Sequence, residues 1–65
     1  MTQPERTKLL KQISEDAIDL AADTDEAMEL NASGEITSEV EPKMWEKLRA
    51  GVKKIEGQIP AAPGA

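Results

Sequence analysis

The stretch with the most side chains that could do chemistry is DTDEAMELNASGEITSE, residues 23–39, where carboxylates and hydroxyls surround one glycine. An EF-hand calcium loop needs oxygen ligands at positions one, three and five, glycine at six and glutamate at twelve. A loop starting at Asp23 has methionine at position six and glycine at twelve, and one starting at Asn31 has isoleucine and proline there. Because both registers fail at these positions, we expect no metal site and interpret the stretch as a helix end and a turn.

The residue inventory also argues against catalysis. The 65 residues include no histidine, cysteine, tyrosine or phenylalanine, which removes the commonest general base, the thiolate nucleophile and any disulfide. A chain of this length forms one domain with a limited core, too small to enclose a substrate pocket. We therefore predict that the protein is not an enzyme, binds no cofactor and takes no small-molecule substrate.

The charge and the N-terminus bear on partners and location. The net charge is -5 and the pI is about 4.6, whereas non-specific binding to nucleic acid or an anionic membrane needs clustered Lys and Arg. No apolar run is long enough to span a bilayer, and the start MTQPERTKLL lacks the apolar centre of a signal peptide. We expect a cytoplasmic protein with no direct nucleic-acid or membrane partner.

A first helix is predicted over about residues 3–31. Thr2 and Glu5 have the spacing of a capping box, and Pro4 suits the first turn because its missing N–H costs little there. No further glycine or proline occurs until Gly34. At 100° per residue, one broad face collects Leu9, Leu10, Ile13, Ala17, Leu20, Ala21, Thr24, Ala27 and Met28.

This helix has one alternative interpretation. Asp23 and Glu26 also have capping-box spacing, so a break near Asp23 would give three helices instead of two. We favour one continuous helix because Thr24 continues the apolar face without a change of phase. Ile18 lies nearly opposite that face and is a candidate second contact.

A turn is predicted over residues 32–40. Gly34 suits the left-handed conformation that commonly ends a helix. Thr37 or Ser38 could cap the next helix, and Glu41, which precedes a proline, is the alternative.

A second helix is predicted over residues 41–57. Its apolar stripe, with steps of four and three residues, contains Met44, Trp45, Leu48, Val52, Ile55 and Ile59. Trp45 is the sole aromatic residue and is expected to anchor the core, an interface, or both. Gly51, beside the stripe, would let a neighbouring helix come close. Residues 60–65 are rich in Pro, Ala and Gly and are predicted to be disordered.

Together these elements predict an all-α fold, a hairpin of two antiparallel helices over residues 1–59 that pairs into a dimeric four-helix bundle. Helix one is the longer, so its first turns would lie uncovered by helix two and would need a partner. The expected partner or dimer interface consists of Leu9, Leu10, Ile13, Ala17, Leu20, Met28, Met44, Trp45, Leu48, Val52 and Ile55.

Charges are divided unequally between the helices. Between Ser14 and Leu30 there are seven acids and no base, whereas residues 43–56 carry five bases and two acids. This opposition favours antiparallel closure of the hairpin. The acids are either a solvated face or an acidic surface that mimics nucleic acid to block a nucleic-acid-binding protein. That surface would comprise Glu15, Asp16, Asp19, Asp23 and Glu26.

The turn segment SGEITSEVEPKMWEKL resembles the hairpin turn of exonuclease VII small subunits. The resemblance lies in residues 33–36 and in an aromatic residue, Trp45, eleven positions after Gly34, and it covers about a quarter of the chain. The glycine that follows the aromatic in that family is displaced here to Gly51, and the family's Leu-Glu-Glu start to the second helix is absent. The resemblance implies a small helical subunit of a nuclease.

Three functions therefore stand as predictions. The first is a small accessory, regulatory or inhibitory protein that acts through protein–protein contacts, with itself or another protein as partner. The second is the acidic nucleic-acid mimic, and the third is the small subunit of a larger enzyme.

Overall fold

The computed structural model describes residues 1–61, which form two helices, α1 over Gln3–Ala32 and α2 over Val40–Gln58. α1 runs through Asp23 without a break. The prediction of one continuous helix is therefore confirmed, and the alternative with three helices is wrong.

The helix limits lie within one residue of the predicted ranges, 3–31 and 41–57. Pro60 and Ala61 follow α2 without regular secondary structure. The disorder predicted for the tail also concerns residues 62–65, which lie outside the described residues.

α1 begins with the predicted capping box. The Thr2 hydroxyl accepts a hydrogen bond from the Glu5 N–H (3.3 Å), and the Glu5 carboxylate accepts one from the Thr2 N–H (3.1 Å). These bonds satisfy N–H groups that a helix start leaves without partners. Hydrogen bonds from the Thr2 hydroxyl and N–H also hold the pKa of the Glu5 carboxyl below its ordinary value.

α1 ends at a left-handed glycine. Gly34 has φ +74°, and its N–H donates to the Asn31 carbonyl (3.2 Å) while the Glu35 N–H donates to the Leu30 carbonyl (2.9 Å). This pair of bonds is the Schellman motif, which satisfies the last helical carbonyls and turns the chain away from the helix axis.

α2 begins at the cap supplied by Thr37. Its hydroxyl accepts a hydrogen bond from the Val40 N–H (3.2 Å), and its carbonyl accepts one from the Glu41 N–H (2.9 Å). Thr37 is therefore the cap among the three candidates that the sequence offered. The residue just before α2, Glu39, makes no side-chain capping bond.

The two helices pack antiparallel. The Lys47 ammonium lies 3.4 Å from the Asp23 carboxylate, and that of Lys54 lies 3.5 Å from Asp16. As positions rise along α2, their partners therefore fall along α1, which fixes both direction and register. The predicted all-α helical hairpin is confirmed.

The seam between the helices, which we define by the side chains shielded there, has a heptad-like spacing of four and three residues. On α1 it contains Leu9, Ile13, Asp16, Leu20, Asp23, Ala27 and Leu30. On α2 it contains Met44, Leu48, Gly51, Ile55 and Gln58. Within residues 1–61 no apolar side chain is buried, and the one buried residue is Asp16, at 6% exposure.

The seam differs from the predicted stripes at alternate positions. Leu10, Ala17 and Thr24 are exposed beside it, whereas Asp16 and Asp23, which were predicted for the acidic surface, are shielded in it. Trp45 is 52% exposed, so its prediction as an anchor of the hairpin's own core is wrong. Each helix is rotated about its own axis relative to the orientation that the predicted stripes imply. As a result, the polar contacts of Asp16 and the close approach of Gly51 to Leu20 lie in the seam.

Candidate functional site

The seam divides the surface of the hairpin into two faces with opposite chemistry. The apolar face, on one side, contains Leu10, Ala17, Ala21, Thr24, Met28, Trp45, Val52 and Ile59. The ion-paired face, on the other side, contains Asp19, Glu26, Lys43, Lys47 and Lys54, with the carboxylates of Asp16 and Asp23 at its edge.

Shared grooves show which residues of α1 and α2 lie on the same side. Thr24 and Met28 line one groove together with Trp45, and Leu10 lines another with Ile59. On the opposite side Asp19 shares a groove with Lys47 and Lys54, and Glu26 shares one with Lys43 and Lys47. Steps of seven residues keep the remaining members on the same side as these, because seven residues make nearly two helical turns.

On the ion-paired face, lysines of α2 neutralise acids of α1. The Lys47 ammonium lies between two carboxylates, 3.4 Å from Asp23 and 4.0 Å from Glu26. The Lys47 side chain is 59% exposed, so water screens these pairs and each contributes only about 0.2–1 kcal/mol. This face is stable in contact with solvent.

Asp16 forms the most constrained polar group of the described residues. Its carboxylate accepts hydrogen bonds from the side-chain amides of Gln58 and Gln12, the latter at 3.2 Å, and lies 3.5 Å from the Lys54 ammonium. The bond from Gln58, followed by the charge of Lys54 and the bond from Gln12, lowers the pKa of Asp16 against an opposing effect of burial. A buried carboxylate satisfied in this way fixes the register of the helices, since sliding α2 would leave a charge without partners.

These contacts divide the predicted acidic surface. Asp16 lies in the seam, and Asp23 and Glu26 pair with Lys47. Glu15 and Asp19 remain exposed on α1. Asp16, Asp19, Asp23 and Glu26 therefore lie along the ion-paired face, and lysines of α2 neutralise all of these acids except Asp19.

The apolar face contains most of the large apolar side chains that the fold leaves exposed. Leu10, Met28, Trp45, Val52 and Ile59 are all at least half exposed. Its two grooves, about 290 and 380 Å³, are larger than the two on the ion-paired face, about 180 and 220 Å³. Exposed large apolar side chains gathered on one side of a small protein typically mark a protein contact.

The residues predicted for an interface fall into two groups. Those that contribute to the seam are Leu9, Ile13, Leu20, Met44, Leu48 and Ile55. Those on the apolar face, and therefore accessible to a partner, are Leu10, Ala17, Met28, Trp45 and Val52. Ile18, predicted as a second contact, is 65% exposed on the outer side of α1.

Sequence reasoning missed the inward position of Asp16 and Gln58. Both continue a heptad spacing, since Gln58 follows Ile55 by three residues and Asp16 lies between Ile13 and Leu20 at steps of three and four. That spacing indicates that both side chains point toward the other helix. A pattern defined by apolar residues alone does not include them, because they are polar and form a hydrogen bond with each other across the seam.

Residues 1–61 contain no group of three carboxylates arranged to hold a metal ion. Neither α1 nor α2 has an apolar stretch long enough to cross a membrane.

No protein-family model, no curated protein and no solved structure matches the chain. The function is therefore argued from the hairpin itself.

Proposed function

We propose that this protein is a small, acidic, non-enzymatic interaction protein of the cytoplasm, which acts through protein–protein contacts in an accessory, regulatory or inhibitory role. The apolar face is its contact surface. Contact with a second helical layer, in the simplest case another hairpin, converts the single layer of two helices into a four-helix bundle.

One observation carries this proposal: among residues 1–61 the hairpin buries no apolar side chain. Apolar burial is the main favourable contribution to folding, at about 25 cal/mol per Å². A pair of helices that shields its seam only in part is marginal alone and gains stability from whatever covers its open side.

The arrangement of the face supports recognition rather than catalysis. Trp45 stands beside Met28 at the turn end, a combination of a large aromatic anchor and an adaptable thioether that is common at protein interfaces. The sequence supplies neither histidine nor cysteine to act on a bound substrate. A surface of this composition binds a partner by burial and shape.

The other two functions draw less support. A nucleic-acid mimic needs acids free to meet a basic partner, but Asp16, Asp23 and Glu26 are occupied by bonds within the chain. A subunit of a larger enzyme would use the same apolar face, so the experiment below identifies that function by the protein it captures.

The test places a photo-crosslinking amino acid at position 52, on the apolar face, in the otherwise intact protein in its native host. A matched variant carries it at position 18, on the outer side of α1, where the native side chain is also apolar and is 65% exposed against 50% at position 52. We expect one dominant adduct from position 52 and little from position 18.

Equal or greater crosslinking from position 18 would contradict the proposal, because the contact would then lie away from the apolar face. The mass of the adduct from position 52 also tells whether the occupant is this chain or another protein.

A further inference from the structure

We infer that the apolar face is covered by a second copy of this chain, in a two-fold arrangement that places α1 of each copy over α2 of the other, with both turns at the same end. This inference rests on the proposed function, because it names the occupant of the same face and its orientation. Two hairpins can stack with a two-fold axis either along the helices or across them. Only the first choice keeps the turns together and pairs α1 with α2 of the partner.

The size of the side chains favours this stacking. Gly51 of α2 lies against Leu20, and Lys54 reaches Asp16, so Val52 stands at the level of Ala17 to Ala21 on α1. A two-fold axis along the helices preserves these levels. The bulky Val52 of each copy would then sit over the small alanines of the other, a fit of large on small that fills the layer between hairpins.

The reversed stacking fits less well. It would place the alanines of α1 over those of the partner's α1 and Val52 over the partner's Val52. One side of the bundle would be narrow and the other wide. Helix pairs at two different separations cannot both pack closely in one flat layer.

Charge favours the same arrangement independently. α1 carries seven acids and no base between Ser14 and Leu30, and α2 carries five bases and two acids over residues 43–56. With the turns together, each acidic helix lies between two basic helices, its own α2 and the partner's. The reversed arrangement would set the seven acids of one α1 beside the seven of the other, and like charges at close range oppose association.

The size of the hairpin is compatible with a stable pair. The hairpin measures 48 by 22 by 12 Å. The outline of its broad face is therefore at most about 1,000 Å², which is comparable with the roughly 800 Å² per partner of a standard protein interface. Along α1 from Leu10 to Met28 the apolar face has no charged side chain, and the charged residues that line its grooves, Arg6 and Glu41, lie near the two ends of the hairpin.

The experiment uses single spin labels, since the chain has no cysteine of its own. Glu35→Cys places a label in the turn, and Thr7→Cys places one near the opposite end, neither of them among the residues that line the grooves of the apolar face. Sedimentation first determines the mass of each labelled protein, and pulsed electron resonance then measures the distance between the two labels of a dimer.

With both turns at the same end, we expect a dimer whose labels lie less than about 30 Å apart at either position, since stacked helices lie about 8–10 Å apart. The reversed dimer would separate the labels in the turn by a distance near the 48 Å length of the hairpin and would overturn the orientation. A monomer up to millimolar concentration would overturn the second copy as occupant. Neither result touches the proposed function, which depends on crosslinking from position 52.

A pair of variants keeps the inference testable without labels. Val52→Lys places a charge on the apolar face, and Ile18→Lys places the same charge on the outer side of α1. We expect the dissociation constant of the dimer to rise at least tenfold for the first and to change less than twofold for the second. Equal effects would overturn the inference.

Discussion

The two faces of the hairpin come from the same pair of helices, but they stand in different relations to water. On the ion-paired face, Lys47 and Lys54 of α2 meet acids of α1, and the charged groups remain hydrated. On the apolar face, side chains such as Trp45 and Val52 leave half of their surface in water. An exposed ion pair is nearly neutral energetically, whereas each 100 Å² of apolar surface left in water forgoes about 2.5 kcal/mol. The ion-paired face can therefore remain exposed to water at little cost, whereas a partner that covers the apolar face gains the most free energy.

The largest difference between the faces should appear on comparing Trp45→Ala with Lys47→Ala. The two side chains are similarly exposed, at 52% and 59%, and are two residues apart on α2. We expect Trp45→Ala to lower the free energy of unfolding by about 2–4 kcal/mol because it removes an interface anchor. Lys47→Ala should cost less than about 1 kcal/mol. Urea unfolding at two protein concentrations measures both, and equal losses would abolish the distinction between the faces.

A second test acts on the seam that separates the faces. A Cβ atom at Gly51 would lie 3.0 Å from Leu20 Cδ1. We expect Gly51→Val to cost about 2 kcal/mol, because a branched side chain pushes the helices apart along their whole contact. Gly51→Ala should be nearly neutral, since a gain in helix propensity of about 1 kcal/mol offsets the shift of one terminal methyl group. Thermal unfolding of the two variants would contradict this account if valine were tolerated as well as alanine.

A third test acts on the turn, which determines how α2 returns along α1. Gly34 has φ +74° and open space around it, so Gly34→Ala should cost about 1 kcal/mol from backbone strain alone. Gly57, in α2, also has open space, and Gly57→Ala should instead stabilise by about 0.5–1 kcal/mol through helix propensity. Denaturant titrations that gave both substitutions the same sign would show that the left-handed turn is not required.

The smallest effect concerns acid and the ion-paired face. The hydrogen bond from Gln58 and the charge of Lys54 lower the pKa of the Asp16 carboxyl below its ordinary value of 3.8. At a pH between the folded and the unfolded pKa, the folded state therefore holds fewer protons than the unfolded state. The stabilisation from Asp16 is therefore complete above about pH 4 and is lost as the pH falls through the folded pKa. We expect the melting temperature of the native protein to fall from pH 5 to pH 2.5 by more than that of Asp16→Asn.

The variant is the necessary comparison here because acid also acts on the twelve other side-chain carboxylates of the sequence. A melting temperature with the same pH dependence in both proteins would show that the bond from Gln58 does not favour the charged form.

Much of the fold was predictable because it depends on bonds between near neighbours. The capping box of Thr2 with Glu5 and the cap at Thr37 each join residues three positions apart. The left-handed turn depends on Gly34 itself, the residue type that adopts that conformation without strain. Any chain with these residues in this order forms the same local bonds, so the sequence alone determined two helices, their limits and the turn.

Which side of each helix faces the other was decided only by the tertiary structure. On α1 the stripe through Leu10 and Ala17 and the stripe through Leu9 and Asp16 lie one residue apart, and both are extended by Ile13 and Leu20. Periodicity favours the more apolar stripe, but it contains no information about a partner helix. The choice rests on two contacts between distant residues, the bond of Asp16 with Gln58, 42 positions away, and the approach of Leu20 to Gly51. Because these contacts exist only when α2 lies against α1, no local pattern reveals that the more apolar stripe is the one left facing outward.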